Sequence, residues 1–321
     1  MRTHSQNGAV EIYYETFGNA ADPTLLLVNG LGSQCINFKE AFCEKFVAQG
    51  FHVVRFDNRD VGLSSHLADA PDYTLADMAD DGFAVLDAVG AERAHIAGWS
   101  MGGMIVQTMA LAHPERVLSM TSVMSSPGGV ALAVDPEVSQ RFNARAPKSR
   151  DEFIAQYIDG LSVWGSPAYQ EVDRLTADAG AAYDRCFDPK GKARQMAAIV
   201  KSGSRQEALA SLKVPALIVH GDADRLVPIE AGRLTHECIP GSRFEVVAGM
   251  GHDYPPQIWD TIVGLIVSQA NHATRTKAPR LRLGASGPIK SALRPLVTTY
   301  QCWGASCRCA VASAGRRRGR W

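Results

Sequence analysis

The sequence predicts an α/β protein: a mostly parallel, doubly wound sheet interrupted by a helical insertion. Three observations carry that reading. Compact apolar runs at residues 24–29, 52–57, 94–99, 117–125, 215–222 and 243–248 each end in glycine or a polar turn, as strands buried on both faces do. Segments of helical spacing separate most of them, which suits the crossovers that parallel strands require. Between residues 127 and 211 the alternation stops, and Phe142, Phe153, Tyr157, Trp164, Tyr169, Tyr183 and Phe187 lie among charges in helical-looking pieces. The core is therefore expected at 1–126 and 212–270, with 127–211 as a helical cap over it.

In chain order, Asn7-Gly8 is a strong two-residue hairpin signal, with residues 10–17 as the second strand. Residues 24–29 form a strand that runs into the glycine turn Gly30-Leu31-Gly32-Ser33, where backbone can approach whatever lies above the sheet. The strand at 52–57 opens into the polar loop Asn58-Arg59-Asp60-Val61-Gly62-Leu63-Ser64. Residues 75–89 mix acids and apolar residues at helical spacing. Next comes Ala94-His95-Ile96-Ala97-Gly98-Trp99-Ser100-Met101-Gly102-Gly103, a strand meeting a serine held between glycines and turning at once into a helix that His113-Pro114 stops. Such a turn crowds the serine's backbone against its neighbours, so they must be small. The helix amino terminus then favours negative charge beside Ser100. Strands are expected again at 117–125, 215–222 and 243–248, and a closing helix at 256–270.

The composition, 321 residues with 46% hydrophobic and 21% charged content, is that of a globular protein with a sizeable core. The opening residues lack the apolar stretch of a secretory signal, and no run approaches the roughly 18 apolar residues of a membrane span, so a cytoplasmic protein is expected. The net charge of zero conceals an asymmetry: all 33 acidic residues but only 22 of the 33 basic ones precede position 271, which leaves that body at −11. The tail at 271–321 is basic, ends in Arg316-Arg317-Arg318-Gly319-Arg320-Trp321, and is expected to be mostly disordered. Its change of composition is abrupt enough to suggest an extension foreign to the body. With few aromatics and no folded motif it does not call for nucleic acid as a partner. Cys302, Cys307 and Cys309 have no well-placed histidine, and Cys35, Cys43, Cys186 and Cys238 lack ligand spacing, so no metal is expected.

A serine hydroxyl needs a base to attack a carbonyl, and the base needs an acid to hold its tautomer. His252, in Gly249-Met250-Gly251-His252-Asp253 directly after the last strand, is the histidine placed to return over the sheet. The acid lies in His220-Gly221-Asp222-Ala223-Asp224-Arg225-Leu226-Val227-Pro228. Asp224 and Asp222 compete; Asp224 is favoured because it falls further into the loop, whereas Asp222 is close enough to the strand end to bind loop amides. The oxyanion donors are expected to be the main-chain N–H groups of Met101 and Leu31. Asn29, Trp99 and Trp164 are expected near the substrate pocket.

With these residues in place, the chain resembles the α/β-hydrolase fold superfamily over about residues 8–270. The strings Phe42-Cys43-Glu44-Lys45, Arg55-Phe56-Asp57-Asn58-Arg59-Asp60-Val61-Gly62-Leu63-Ser64 and Gly249-Met250-Gly251-His252-Asp253 look like the aclacinomycin methylesterase and bacterial carboxylesterase/lipase branch. The resemblance implies cofactor-free hydrolysis of a small-molecule carboxylic ester by water through an acyl-enzyme, with Ser100 attacking, His252 shuttling the proton and Asp224 orienting it. Asn29 departs from the pattern, since many members carry histidine before the oxyanion glycine; the departure bears on local hydrogen bonding, not on the backbone donor. Enol-lactonases such as those acting on 3-oxoadipate, C–C bond hydrolases and perhydrolases use the same triad. An acidic lactone would need a cationic anchor, for which Arg59, Arg141, Arg145 and Arg185 are the candidates. Dehalogenases and epoxide hydrolases of this fold carry a carboxylate at the elbow, where this chain has Ser100. A non-catalytic ligand-binding protein of this fold would be expected to have lost a triad member, and all three are present.

Overall fold

The computed structural model describes residues 2–67, 73–129 and 135–277. The tail expected to be disordered lies outside these residues from position 278 on, as do its three cysteines. Eight strands form one sheet in the order β1-β2-β4-β3-β5-β6-β7-β8. Strands β1 (Arg2–Asn7) and β2 (Val10–Phe17) make an antiparallel hairpin closed by an Asn7↔Val10 pair, with Gly8 supplying the positive φ of 62° that the turn needs. Strand β2 runs antiparallel to β4 (His52–Phe56). All remaining pairings, through β3 (Thr24–Val28), β5 (Ala94–Trp99), β6 (Val117–Val123), β7 (Ala216–Gly221) and β8 (Arg243–Val247), are parallel.

The alternation of side chains along β3 shows why its unbroken apolar run was readable as a buried strand. Leu26 and Val28 face one side, where they meet Met78 and Leu86 of α2 (Leu75–Ala88) and Ile105, Val106 and Met109 of α3 (Met101–Ala112). Leu25 and Leu27 face the other, against Phe42 and Phe46 of α1 (Glu40–Val47) and Ile262 and Ile266 of α10 (Trp259–Lys277). Both faces are covered, so each fully buried leucine contributes about 2 kcal/mol of transfer free energy. Helix α2 begins at a capping box in which Thr74 accepts at the first turn and Asp77 accepts back from the Thr74 N–H at 2.8 Å.

Helix α1, and α9 (Ile229–Cys238), were not anticipated. Both are short, eight and ten residues, and bury a narrow face of few residues, which gives periodicity little to act on. The closing helix runs to Lys277, beyond the position where the composition changes. Among the described residues no helix is long and apolar enough to cross a membrane.

Between β6 and β7 lie α4 (Pro136–Phe142), α5 (Arg150–Trp164), α6 (Val172–Arg185), α7 (Pro189–Ser202) and the single turn α8 (Gln206–Leu209). The aromatics of this insertion partly pack on one another: Tyr183 and Phe187 stack at 4.7 Å, with Phe153 5.6 Å from each. Its attachment to the core is polar and directed at the loops after β3 and β4. Gln34 donates to the carbonyls of Ala182 and Cys186 at 2.7 and 2.8 Å, and Arg185 pairs with buried Asp57 at 2.7 Å. Gln195 accepts from the Gly32 N–H and donates to the Arg59 carbonyl, both at 2.8 Å. The insertion therefore sits over the carboxyl ends of the strands, where open α/β sheets bind ligands.

Candidate active site

Ser100 joins β5 to α3 with φ 55° and ψ −119°, a conformation that costs a non-glycine residue about 1–3 kcal/mol and persists only where its surroundings hold it. Those surroundings are specific. A Cβ at Gly98 would lie 2.0 Å from the Gly102 carbonyl oxygen, and one at Gly102 would lie 2.1 Å from that of Val28, so the two flanking positions admit only glycine. The Ser100 N–H donates to Val123 at 2.9 Å, and the Ser125 hydroxyl donates to the Ser100 carbonyl at 2.7 Å. The side chain is left at the start of α3.

His252 follows β8 and brings Nε2 to 3.0 Å from Ser100 Oγ. Its Nδ1 lies 2.7 Å from Asp224 Oδ2. With a carboxylate accepting at Nδ1, the Nε2 lone pair faces the serine hydroxyl. Asp224 is buried, and its other oxygen accepts the N–H groups of Leu226 at 2.9 Å and Val227 at 2.8 Å, so loop backbone orients the carboxylate. Burial alone would raise its pKa, but the adjacent His252 and His220 outweigh that and hold it below the usual aspartate value. Asp222 instead accepts the Gly249 N–H at 2.7 Å. Ser100, His252 and Asp224 are thus brought together and Asp222 is not.

The turn after β3 lies against the serine: a Cβ at Gly30 would be 3.1 Å from Ser100 Cβ and 3.7 Å from its Oγ. The N–H groups of Leu31 and Met101 have no acceptor among the described residues. Asn29 braces this turn from beneath, donating to the Gln34 carbonyl at 2.7 Å while its own carbonyl accepts from Asn58 at 3.1 Å. Asn29 and Trp99, expected near the substrate pocket, are both buried. Each is only 2% exposed, and Trp99 sits inside an aromatic cluster with Phe38, Phe42 and Tyr254. Trp164 reaches the site through its main chain, its carbonyl accepting the His252 N–H at 2.5 Å.

Several neighbours carried no sequence signal. His220, buried, donates from Nε2 to the Val227 carbonyl at 2.8 Å and lies 3.5 Å from Asp224 Oδ2. Ser166 accepts the Gly251 N–H at 3.0 Å. The four arginines considered as anchors are each paired with a protein carboxylate: Arg59 with Asp81 at 2.6 Å, Arg141 with Asp159 at 3.1 Å, Arg145 with Glu152 at 3.0 Å and Arg185 with Asp57.

A family model described as alpha/beta hydrolase fold matches residues 23–255. The rhodomycin D methylesterase DnrP of Streptomyces peucetius is 26% identical over 295 residues, which cover 84% of this chain and 97% of that protein. The pimeloyl-acyl-carrier-protein methyl ester esterase of Aeromonas hydrophila is 26% identical over 254 residues, covering 76% and 92%. The crystal structure of the enol-lactonase from Burkholderia xenovorans LB400 superimposes with a TM-score of 0.70 over 84% of this chain and all of that one, at 21% identity, a likeness of fold.

Proposed function

Since this chain belongs to the α/β-hydrolase fold family, we propose that it is a serine hydrolase of carboxylic esters carrying small to medium acyl groups or methyl ester groups. The observation that carries the reading is the unbroken relay from Asp224 through His252 to Ser100, at 2.7 and 3.0 Å, beside two main-chain N–H groups without acceptors among the described residues. The methyl ester esterases among its relatives support the substrate class.

In this mechanism Ser100 Oγ attacks the ester carbonyl carbon as His252 Nε2 takes the hydroxyl proton. The carbonyl oxygen becomes an oxyanion held by the N–H groups of Leu31 and Met101. Collapse breaks the bond to the alcohol oxygen, which leaves with the proton from His252. Water then attacks the acyl-enzyme, with His252 again as base, and the acid departs as Ser100 regains its proton. Asp224 stabilises the imidazolium and fixes its tautomer without itself being protonated.

The test is hydrolysis of p-nitrophenyl esters from acetate to decanoate by the wild type and by Ser100→Ala. The wild type turns over, with a chain-length optimum that measures the acyl pocket, and the variant falls by about 10⁴-fold or more. Equal rates for the two would remove Ser100 from the mechanism.

A further inference from the structure

Lys192, on α7, differs from the paired arginines. Its stem packs on the turn that carries the Leu31 N–H: a Cβ built on Gly32 would meet Lys192 Cγ at 3.3 Å and Cδ at 3.4 Å. One helical turn further on, Gln195 accepts the Gly32 N–H, so two residues on one face of α7 fix this helix against the turn. Gly32 is two residues from Gly30, which in turn touches Ser100. The Lys192 Nζ stands 5.1 Å from the centre of the Phe142 ring, and among the described residues no carboxylate pairs with it.

Lys192 is exposed and so within reach of a ligand, yet protein lies near enough to its ammonium that desolvation pushes it below the ordinary lysine pKa. The Phe142 ring carries no formal charge, so among the described residues the ammonium has no counter-charge. Arg59, Arg185 and Arg194 already have theirs, in Asp81, Asp57 and Asp60.

We propose that Lys192 is an anion subsite beside the oxyanion turn, and that the preferred esters carry a carboxylate a few bonds from the scissile carbonyl. The inference rests on the ester-hydrolase reading and narrows it to acidic esters. A carboxylate on the acyl chain reaches Nζ while the ester carbonyl occupies the site between Ser100 and Leu31.

The experiment compares mono-p-nitrophenyl glutarate with p-nitrophenyl valerate, which match in length and differ in the terminal carboxylate. The wild type favours the glutarate by about ten- to hundredfold in kcat/KM, the value of one charge-assisted hydrogen bond. In Lys192→Met the ratio falls to about one, and Lys192→Arg retains most of it. The same pair is compared by calorimetric titration of monomethyl glutarate and methyl valerate into Ser100→Ala, where no turnover is required. Loss of charge preference in Ser100→Ala/Lys192→Met, with thermal unfolding unchanged from Ser100→Ala, supports the subsite. No preference in the wild type, or a preference that survives Lys192→Met, overturns it. Failure to hydrolyse either ester counts against the hydrolase reading, while the titration still decides Lys192.

Discussion

Ser166 and Asp253 are joined twice: the main-chain N–H and the hydroxyl of Ser166 both donate to the same oxygen, Oδ1, of the Asp253 carboxylate. Because Ser166 Oγ also accepts the Gly251 N–H, one buried side chain from the insertion grips the residues on either side of His252. The orientation of the proposed base is therefore tied to the insertion as well as to the sheet.

Ser166→Ala removes the hydroxyl and strands the Gly251 N–H. Leaving such buried groups without partners costs about 1–3 kcal/mol, and for a protein of this size each kcal/mol lowers the melting temperature by about 2–4 °C. We expect that loss together with a roughly tenfold fall in kcat and little change in KM, since His252 is displaced and substrate contacts are not. Thermal unfolding and ester kinetics on the same preparation check it; a stability loss with kcat intact would make Ser166 purely structural.

Asp224→Asn is expected to lower kcat by about 10⁴-fold, because an amide cannot stabilise the imidazolium and selects the wrong tautomer. Asp222→Asn, which touches only the Gly249 N–H, is expected to stay within about tenfold of wild type. Steady-state kinetics of the two variants rank them, and the opposite order would assign the acid to Asp222.

His66 supplies a pH dependence of stability. Its Nδ1 lies 2.8 Å from Asp188 Oδ2 and its Nε2 lies 3.1 Å from the Gly62 carbonyl, so only the imidazolium donates to both. Arg194 shares Asp188 at 3.1 Å, and the Cys186 sulfur lies 3.5 Å from Nε2. Burial opposes the charged form, but the Gly62 carbonyl and Asp188 outweigh it and raise the pKa. A raised folded-state pKa contributes stability that is fully present below the unfolded value of about 6.5 and is lost as pH rises through the folded one. In urea unfolding, the gap between wild type and His66→Gln should therefore be larger near pH 6 than near pH 8.5. A gap that does not narrow with rising pH contradicts this.

The parts of the molecule legible in the sequence are those set by local geometry or by burial on both faces. Gly98 and Gly102 announce the elbow because the crowding that excludes a Cβ arises within a few residues of Ser100 and from the strand beside it. The run Thr24–Val28 reads as a strand because neither face meets water. His252 could be singled out because it directly follows the last strand of a parallel sheet, a position that constrains where it can go. The helices α1 and α9 carry no such signal because each buries too few residues to leave a period.

Residue types and their order along the chain sufficed to determine an α/β-hydrolase sheet, an insertion after β6, and Ser100, His252 and an aspartate between them as the candidate group. Tertiary structure alone decided which aspartate meets the histidine, that Asn29 and Trp99 are buried, and that Arg59 and Arg185 are already paired. It also brought Ser166 and Lys192 to residues 85 and 160 positions away in sequence. The reason is physical. A carboxylate's partner depends on the course of a loop held by its own N–H groups, and a lysine's on which helix face packs against a turn. Both follow from long-range packing that no spacing along the chain encodes.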